Sequence, residues 1–158
     1  MLRLSKLTDY AVVVLIRLAQ GEAVQTVPLI AQSTGVPEPT VAKVLKSLSA
    51  SGLVLSSRGA RGGYRLAQTL FDIPVSRVIA AIDGPIALTA CVEGTGGGCS
   101  SESHCPGSGR WNLVNQAIHT ALSRINLGDM ALISLPNGLQ TDFHPSDRRA
   151  PAFENREL

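Results

Sequence analysis

A mainly α fold with a single small β-hairpin is predicted by three observations. Apolar residues recur at helical spacing over 6–20, 27–34, 39–50, 74–83 and 110–126, whereas only 53–66 reads as strands. The hydrophobic content is 44% but aromatics are only 4%, so the core is aliphatic, which suits packed helices. Glycine-rich punctuation is concentrated in two places, a basic one at 58–65 and a cysteine-bearing one at 91–105. No apolar run approaches the ~18 residues of a membrane span, and Met1 leads into a polar-flanked amphipathic segment unlike a signal peptide. A cytoplasmic protein with no membrane contact is expected.

The first helix, 6–20, carries Leu7, Ala11, Leu15 and Leu18 on one stripe and stops at Gly21. Val12, Val13, Val14 and Ile16 make it apolar on more than one side, so it should be sandwiched between neighbours. Asp9 lies in its first turn, where a carboxylate favours the positive end of the helix dipole. A short helix follows over 27–34, with Thr26 as N-cap and Pro28 in its first turn. Gly35 turns the chain into a second helix, Pro39 to about Ala50, closed by Gly52. Val41, Val44, Leu45 and Leu48 give that helix one apolar face, and Thr40, Lys43, Lys46 and Ser47 give it a small, polar, basic outer face. This is the helix-turn-helix pattern, although an ordinary helical hairpin with a solvated face has the same periodicity.

The next stretch favours DNA. Leu53–Ser57 and Tyr64–Leu66 are strands around the tip Arg58-Gly-Ala-Arg-Gly-Gly, a hairpin that makes a wing after a helix-turn-helix. Arg58, Arg61 and Arg65 are suited to phosphates or a minor groove, and the glycines allow close approach. A nucleotide-binding P-loop needs G-x4-G-K-[ST], which is absent. The charge distribution agrees: residues 1–66 carry +5 and residues 67–158 carry −3, within a net charge of +2. A basic first half on a nearly neutral chain is an electrostatic footprint for a polyanion.

A helix over 74–83, with Val75, Val78, Ile79 and Ile82 on one face, ends at Gly84-Pro85. Then comes CVEGTGGGCSSESHC, which holds all three cysteines of the chain, Cys91, Cys99 and Cys105. A free cysteine usually packs as a small apolar residue, and this polar, glycine-rich surrounding holds almost nothing to bury. The spacings C-x7-C and C-x5-C lack the close pair of structural zinc sites. Thiolates spread along an open loop suit an iron–sulfur cluster, with zinc or metal-free redox thiols as the competing readings. An odd cysteine count disfavours a disulfide framework.

After the loop, Trp111, Val114, Ile118, Ala121, Leu122 and Ile125 form a stripe close to a heptad seam on a long helix. Packing on the chain's own core would explain that stripe, as would a second copy of the chain. The organisation expected is 1–84 for DNA binding, 85–109 for the cysteine loop, 110–135 for a dimerisation helix and 136–158 for a Pro-, Asn- and charge-rich disordered tail. No nucleophile–base set or paired-carboxylate site points to catalysis.

Taken together, LRLSKLTDYA, RGARGGYRL, IDGPIALTAC and the three cysteines followed by Trp111 resemble the winged-helix iron–sulfur regulators of the IscR/NsrR type, over about residues 1–133. Within them the chain looks closest to regulators of the SUF iron–sulfur assembly operon. The resemblance implies a winged helix-turn-helix homodimer on double-stranded operator DNA, with long helices crossing at the interface. It implies cluster ligation by Cys91, Cys99 and Cys105, with 2Fe-2S ahead of 4Fe-4S. The family's histidine ligand, three residues after the last cysteine, is replaced here by Ser108. Asp9 of the opposite subunit, matching a family TDxA carboxylate, and His104 are the two candidates for a fourth ligand. An oxidant- or nitric-oxide-responsive repressor of the same family is the alternative function.

Overall fold

The computed structural model describes residues 4–21, 24–59, 61–90, 92, 104–107 and 109–133. Cys91, Cys99, Ser108 and the expected tail lie outside the described residues.

Helix α1 (Lys6–Ala19) starts where Ser5 caps it, its Oγ accepting from the Thr8 N–H at 3.2 Å. Thr8, Ala11, Val14, Leu15 and Leu18 form its buried face. Helices α2 (Val27–Thr34), α3 (Glu38–Ala50), α4 (Val75–Asp83) and α6 (Leu127–Ile133) and strand β2 (Gly63–Leu66) all touch α1, which is sandwiched as its several apolar sides demand. Val13 is the member of the valine run left facing out, at 36% exposure.

α2 ends at Gly35, whose φ of 71° is the left-handed conformation that closes a helix and which a side chain would resist. Thr26 occupies the N-cap position of α2, but its side chain makes no capping bond. α3 begins at Glu38, one residue before the proline expected to open it, and buries Val41, Val44, Leu45 and Leu48. Strands β1 (Val54–Ser57) and β2 form the hairpin in the register Val54↔Leu66, Leu55↔Arg65, Ser56↔Tyr64, Ser57↔Gly63.

Two features go beyond the periodicity. The segment before α2 joins the wing: Gln25 N–H donates to the Tyr64 carbonyl at 2.9 Å, and Tyr64 N–H donates back at 2.8 Å. The single long helix expected over 110–135 is also two helices. Helix α5 (Trp111–Arg124) stops where Ile125 turns extended, and the chain pairs briefly with the start of α4, Val75 N–H to Ile125 O and Leu127 N–H to Ile73 O, each 2.9 Å. Asn126 and Asp129 then cap α6 reciprocally, Asp129 N–H donating to Asn126 Oδ1 at 2.8 Å and Asn126 N–H to Asp129 Oδ2 at 3.4 Å. Leu127 is fully buried in the same core as Leu15, Ile30, Leu45, Leu48, Leu53 and Ile73. Burying such a side chain is worth about 1.5–3 kcal/mol. Residues 127–133 therefore return to the N-terminal core and do not prolong α5.

Candidate nucleic-acid interface

α3 stands beside the wing with its buried face toward α1 and α4. On its outer side Lys43 and Lys46 are exposed, and Thr40 and Ser47 are half-buried. Thr40, Lys43 and Ser47 recur at three and four residues, so they share one stripe. Lys46 belongs to the neighbouring stripe: with Ala42, Ser49 and Ala50 it lines a cleft of about 430 Å³ whose other wall is Ser56 and Tyr64 of the wing. The four polar positions on α3 thus divide between a stripe facing out and one facing the hairpin.

Arg58 and Arg61 are exposed at the hairpin tip, which Gly62 N–H closes onto Gly59 O at 2.9 Å. Any Cβ on Gly62 would sit 2.5 Å from the Ser57 carbonyl oxygen, so this tight tip requires glycine. Arg65 is exposed on β2, opposite Leu55. Arg17, counted among the basic residues of the first half, is instead tied up: its Nε donates to Ser33 Oγ at 2.8 Å and links α1 to α2.

The second part of the site is the root of the cysteine loop. α4 ends at Asp83, and Asp83 Oδ2 accepts from Thr8 Oγ1 at 2.8 Å and from the Ser5 N–H at 3.3 Å. This lock binds the start of α1 to the point where the chain leaves for the cysteines. Asp9 is exposed one residue along, and both carboxylates border a groove of about 750 Å³ walled by Leu4, Val12, Val75, Val78 and Met130. A few residues past Asp83, Asn115 on α5 holds the outgoing chain: its Nδ2 donates to Ile86 O at 2.9 Å, and its Oδ1 accepts from Leu88 N–H at 3.1 Å. Cys105 is exposed and carries no disulfide, with His104, also exposed, beside it. Among the described residues no three His, Cys, Asp or Glu side chains gather into a metal site.

Partial burial raises the Asp83 pKa, but the hydrogen bonds from Ser5 and Thr8 outweigh it and hold the carboxyl below its ordinary value. A folded pKa below the unfolded one means that the stabilisation is present above the ordinary carboxylate range and is lost as pH falls through the lowered value. The difference in thermal midpoint between the wild type and Asp83→Asn should therefore be greatest near neutral pH and shrink on acidification. A constant difference across that range would show that the charge of Asp83 contributes nothing to the lock.

α5 buries none of its residues completely. It meets α4 through a Ser76–Ser123 hydroxyl hydrogen bond of 2.8 Å, while Trp111, Val114 and Ile125 are each more than 40% exposed. Ile118 and Leu122 are half-buried. Leu113, outside the expected stripe, is the most open at 79%, and its +2 offset from Trp111 hid it from a heptad reading.

A winged hairpin beside a helix-turn-helix, with basic groups on both, is the architecture of a DNA-binding regulator. The family model described as "Iron-dependent Transcriptional regulator", Rrf2, matches residues 4–132. The chain belongs to the Rrf2 family. It is a DNA-binding transcription regulator of IscR-like type, and its relatives are regulators, not enzymes. The HTH-type transcriptional regulator IscR of Vibrio vulnificus is 31% identical over 131 residues, 82% of this chain and 77% of that protein. IscR of Klebsiella pneumoniae is 30% identical over 131 residues, 82% of this chain and 79% of that protein. Among solved Rrf2-like structures, CymR (YrzC), described as the global cysteine regulator of B. subtilis, superposes with a TM-score of 0.63 at 27% identity, covering 85% of this chain and 99% of its own. T. potens IscR superposes with a TM-score of 0.59 at 29% identity, covering 87% and 94%. Among the described residues of this Rrf2 protein, no helix is long and apolar enough to cross a membrane.

Proposed function

We propose that this Rrf2 regulator is a homodimer whose operator binding is governed by an iron–sulfur cluster held by Cys91, Cys99 and Cys105, and that it controls iron–sulfur assembly genes of the SUF type. The observation that carries this is the gathering of all three cysteines in one glycine-rich stretch of fifteen residues, at the margin of which Cys105 is exposed and unbonded. An accessible thiol in polar surroundings suits a cluster ligand and does not suit a core residue. When bound, a cluster supplies iron–thiolate bonds whose potential follows its type and surroundings.

The chain's own residues provide the rest. Thr40, Lys43 and Ser47 on α3 face a major groove, Lys46 spans toward the hairpin, and Arg58, Arg61 and Arg65 meet the backbone or minor groove. The uncovered apolar side of α5, Trp111, Val114 and Ile125 with Ile118 and Leu122 behind them, is the dimer contact. Residues 85–109 are the sensing loop in this reading, and Asp83 and Asn115 hold the chain where it enters that loop.

The test is anaerobic purification with visible absorption and iron and sulfide counting; both elements in stoichiometric amount support the cluster, and 2Fe-2S and 4Fe-4S give different ratios to protein. A colourless protein that changes its DNA affinity on oxidation would instead establish a metal-free thiol regulator, which the accessible Cys105 would also serve. For the fourth ligand, Asp9→Asn in the holo-protein should alter the spectrum and hasten cluster loss to oxygen, while apo-protein DNA binding persists. His104→Ala is the matched variant. A carboxylate that only favours the α1 dipole would change stability by less than about 1 kcal/mol and leave the spectrum as it was.

A further inference from the structure

We infer that Gln25 is the residue that positions the wing for DNA, by fastening the hairpin to the C-terminal end of α1. A two-stranded hairpin alone is at best marginally stable in water. Here its inner strand is joined by the residue 25 segment, which exchanges two backbone hydrogen bonds with Tyr64, 2.9 and 2.8 Å long. The Gln25 side chain runs the other way. It is 4% exposed, and its Nε2 donates to Leu18 O at 3.2 Å and to Arg17 O at 3.4 Å, both in the last turn of α1. One residue therefore holds the wing through its backbone and α1 through its side chain.

The neighbours are shaped around this joint. A Cβ on Gly63, the residue before Tyr64, would lie 2.5 Å from the Gln25 carbonyl oxygen and 2.8 Å from Val24 Cγ1, so only glycine lets β2 approach this closely. The side-chain amide is not needed to complete α1. Leu18 O already accepts from Gly21 N–H at 3.4 Å, and Arg17 O from Gln20 N–H at 3.2 Å. Among the described residues Gln25 Oε1 is buried without a hydrogen-bond partner, a cost that an apolar side chain of similar volume would not carry. A glutamine kept in an apolar joint, with half its amide unsatisfied, acts by direction: its hydrogen bonds set the angle at which the wing leaves α1. That angle decides whether Arg58 and Arg61, at the free tip, reach phosphates on the same duplex that α3 meets.

The experiment uses the full-length protein and a random-sequence DNA duplex, so that binding reads phosphate contacts and not the operator. Affinity is measured across a series of salt concentrations for the wild type, Gln25→Leu, Arg58→Ala/Arg61→Ala and the triple variant. Gln25→Leu should reduce the salt slope by about 1 for each wing phosphate contact that it releases. Its effect should be smaller in the Arg58→Ala/Arg61→Ala background, because two of the three wing cations through which it acts, all but Arg65, are already gone. A purely structural role could lower the thermal midpoint but could not produce that non-additivity. An unchanged slope, or a full additional loss in the triple variant, overturns the inference. Gln25→Met serves as the second variant if the leucine protein does not fold, and failure of both to fold also overturns it, since Gln25 would then be a requirement of the core.

Discussion

Arg58→Ala/Arg61→Ala should weaken binding to duplexes of every sequence and flatten the salt dependence of what remains. Both side chains are exposed at the hairpin tip, and the tip is closed by backbone and glycine contacts, not by the arginines. The fold should therefore hold, with stability within about 0.5 kcal/mol of the wild type, as for other surface changes. In a dimer four cationic side chains are removed. Each phosphate contact contributes about −0.9 to the slope of log K against log salt, so the slope should fall in magnitude by about 4 if all four reach the backbone. The α3 positions should behave differently. Lys43→Ala or Ser47→Ala, if they touch base edges, should cost about 1–3 kcal/mol on the operator and relax its sequence preference. Salt-titrated binding measurements on operator and random duplexes separate these patterns. A slope unchanged in the double arginine variant would remove the wing from the interface.

Cys99→Ala, and equally Cys91→Ala or Cys105→Ala, should eliminate stably bound iron and sulfide while leaving a folded dimer. Among the described residues the core is built from α1 to α4, the hairpin, the segment around Ile73 and Leu127, and Cys105 is outside it. Three thiolates leave little redundancy, so loss of one should cost the cluster and not merely loosen it. Iron and acid-labile sulfide analysis, beside size-exclusion and thermal melting of the same samples, measures both halves of the expectation. A Cys99→Ala protein with full iron and sulfide would refute the three-thiolate assignment, and one that no longer dimerises would make the loop part of the subunit contact.

Much of the molecule is legible before any coordinates. Val41, Val44, Leu45 and Leu48 are buried as their spacing requires, and Gly35 takes the left-handed turn between α2 and α3. The two strands around Arg58–Gly63 pair in the expected hairpin. The boundary between α5 and α6 was less legible, because the stripe that starts at Trp111 ends at Ile125 and apolar residues resume at once with Leu127. The local signal for the break was Asn126 and Asp129, a capping pair whose meaning depends on the chain having turned there. Leu113 and Ile125 were equally ambiguous: a period marks a residue as facing one side of a helix, not whether that side is covered.

What the sequence by itself determined is everything governed by near neighbours along the chain: helix periods, glycine and proline stops, the basic hairpin tip, and the clustering of Cys91, Cys99 and Cys105 in a polar, glycine-rich segment, of which the structure buries Val92. What only the tertiary structure decided is which distant residues share a partner. Thr8 and Asp83 are joined across 75 positions, Asn115 reaches back to Ile86 across 29, and Gln25 connects the end of α1 to Tyr64 of the wing. None of these pairs has a periodicity. Each exists because packing the helices and the hairpin around one aliphatic core brings polar groups that are distant in sequence within hydrogen-bonding distance.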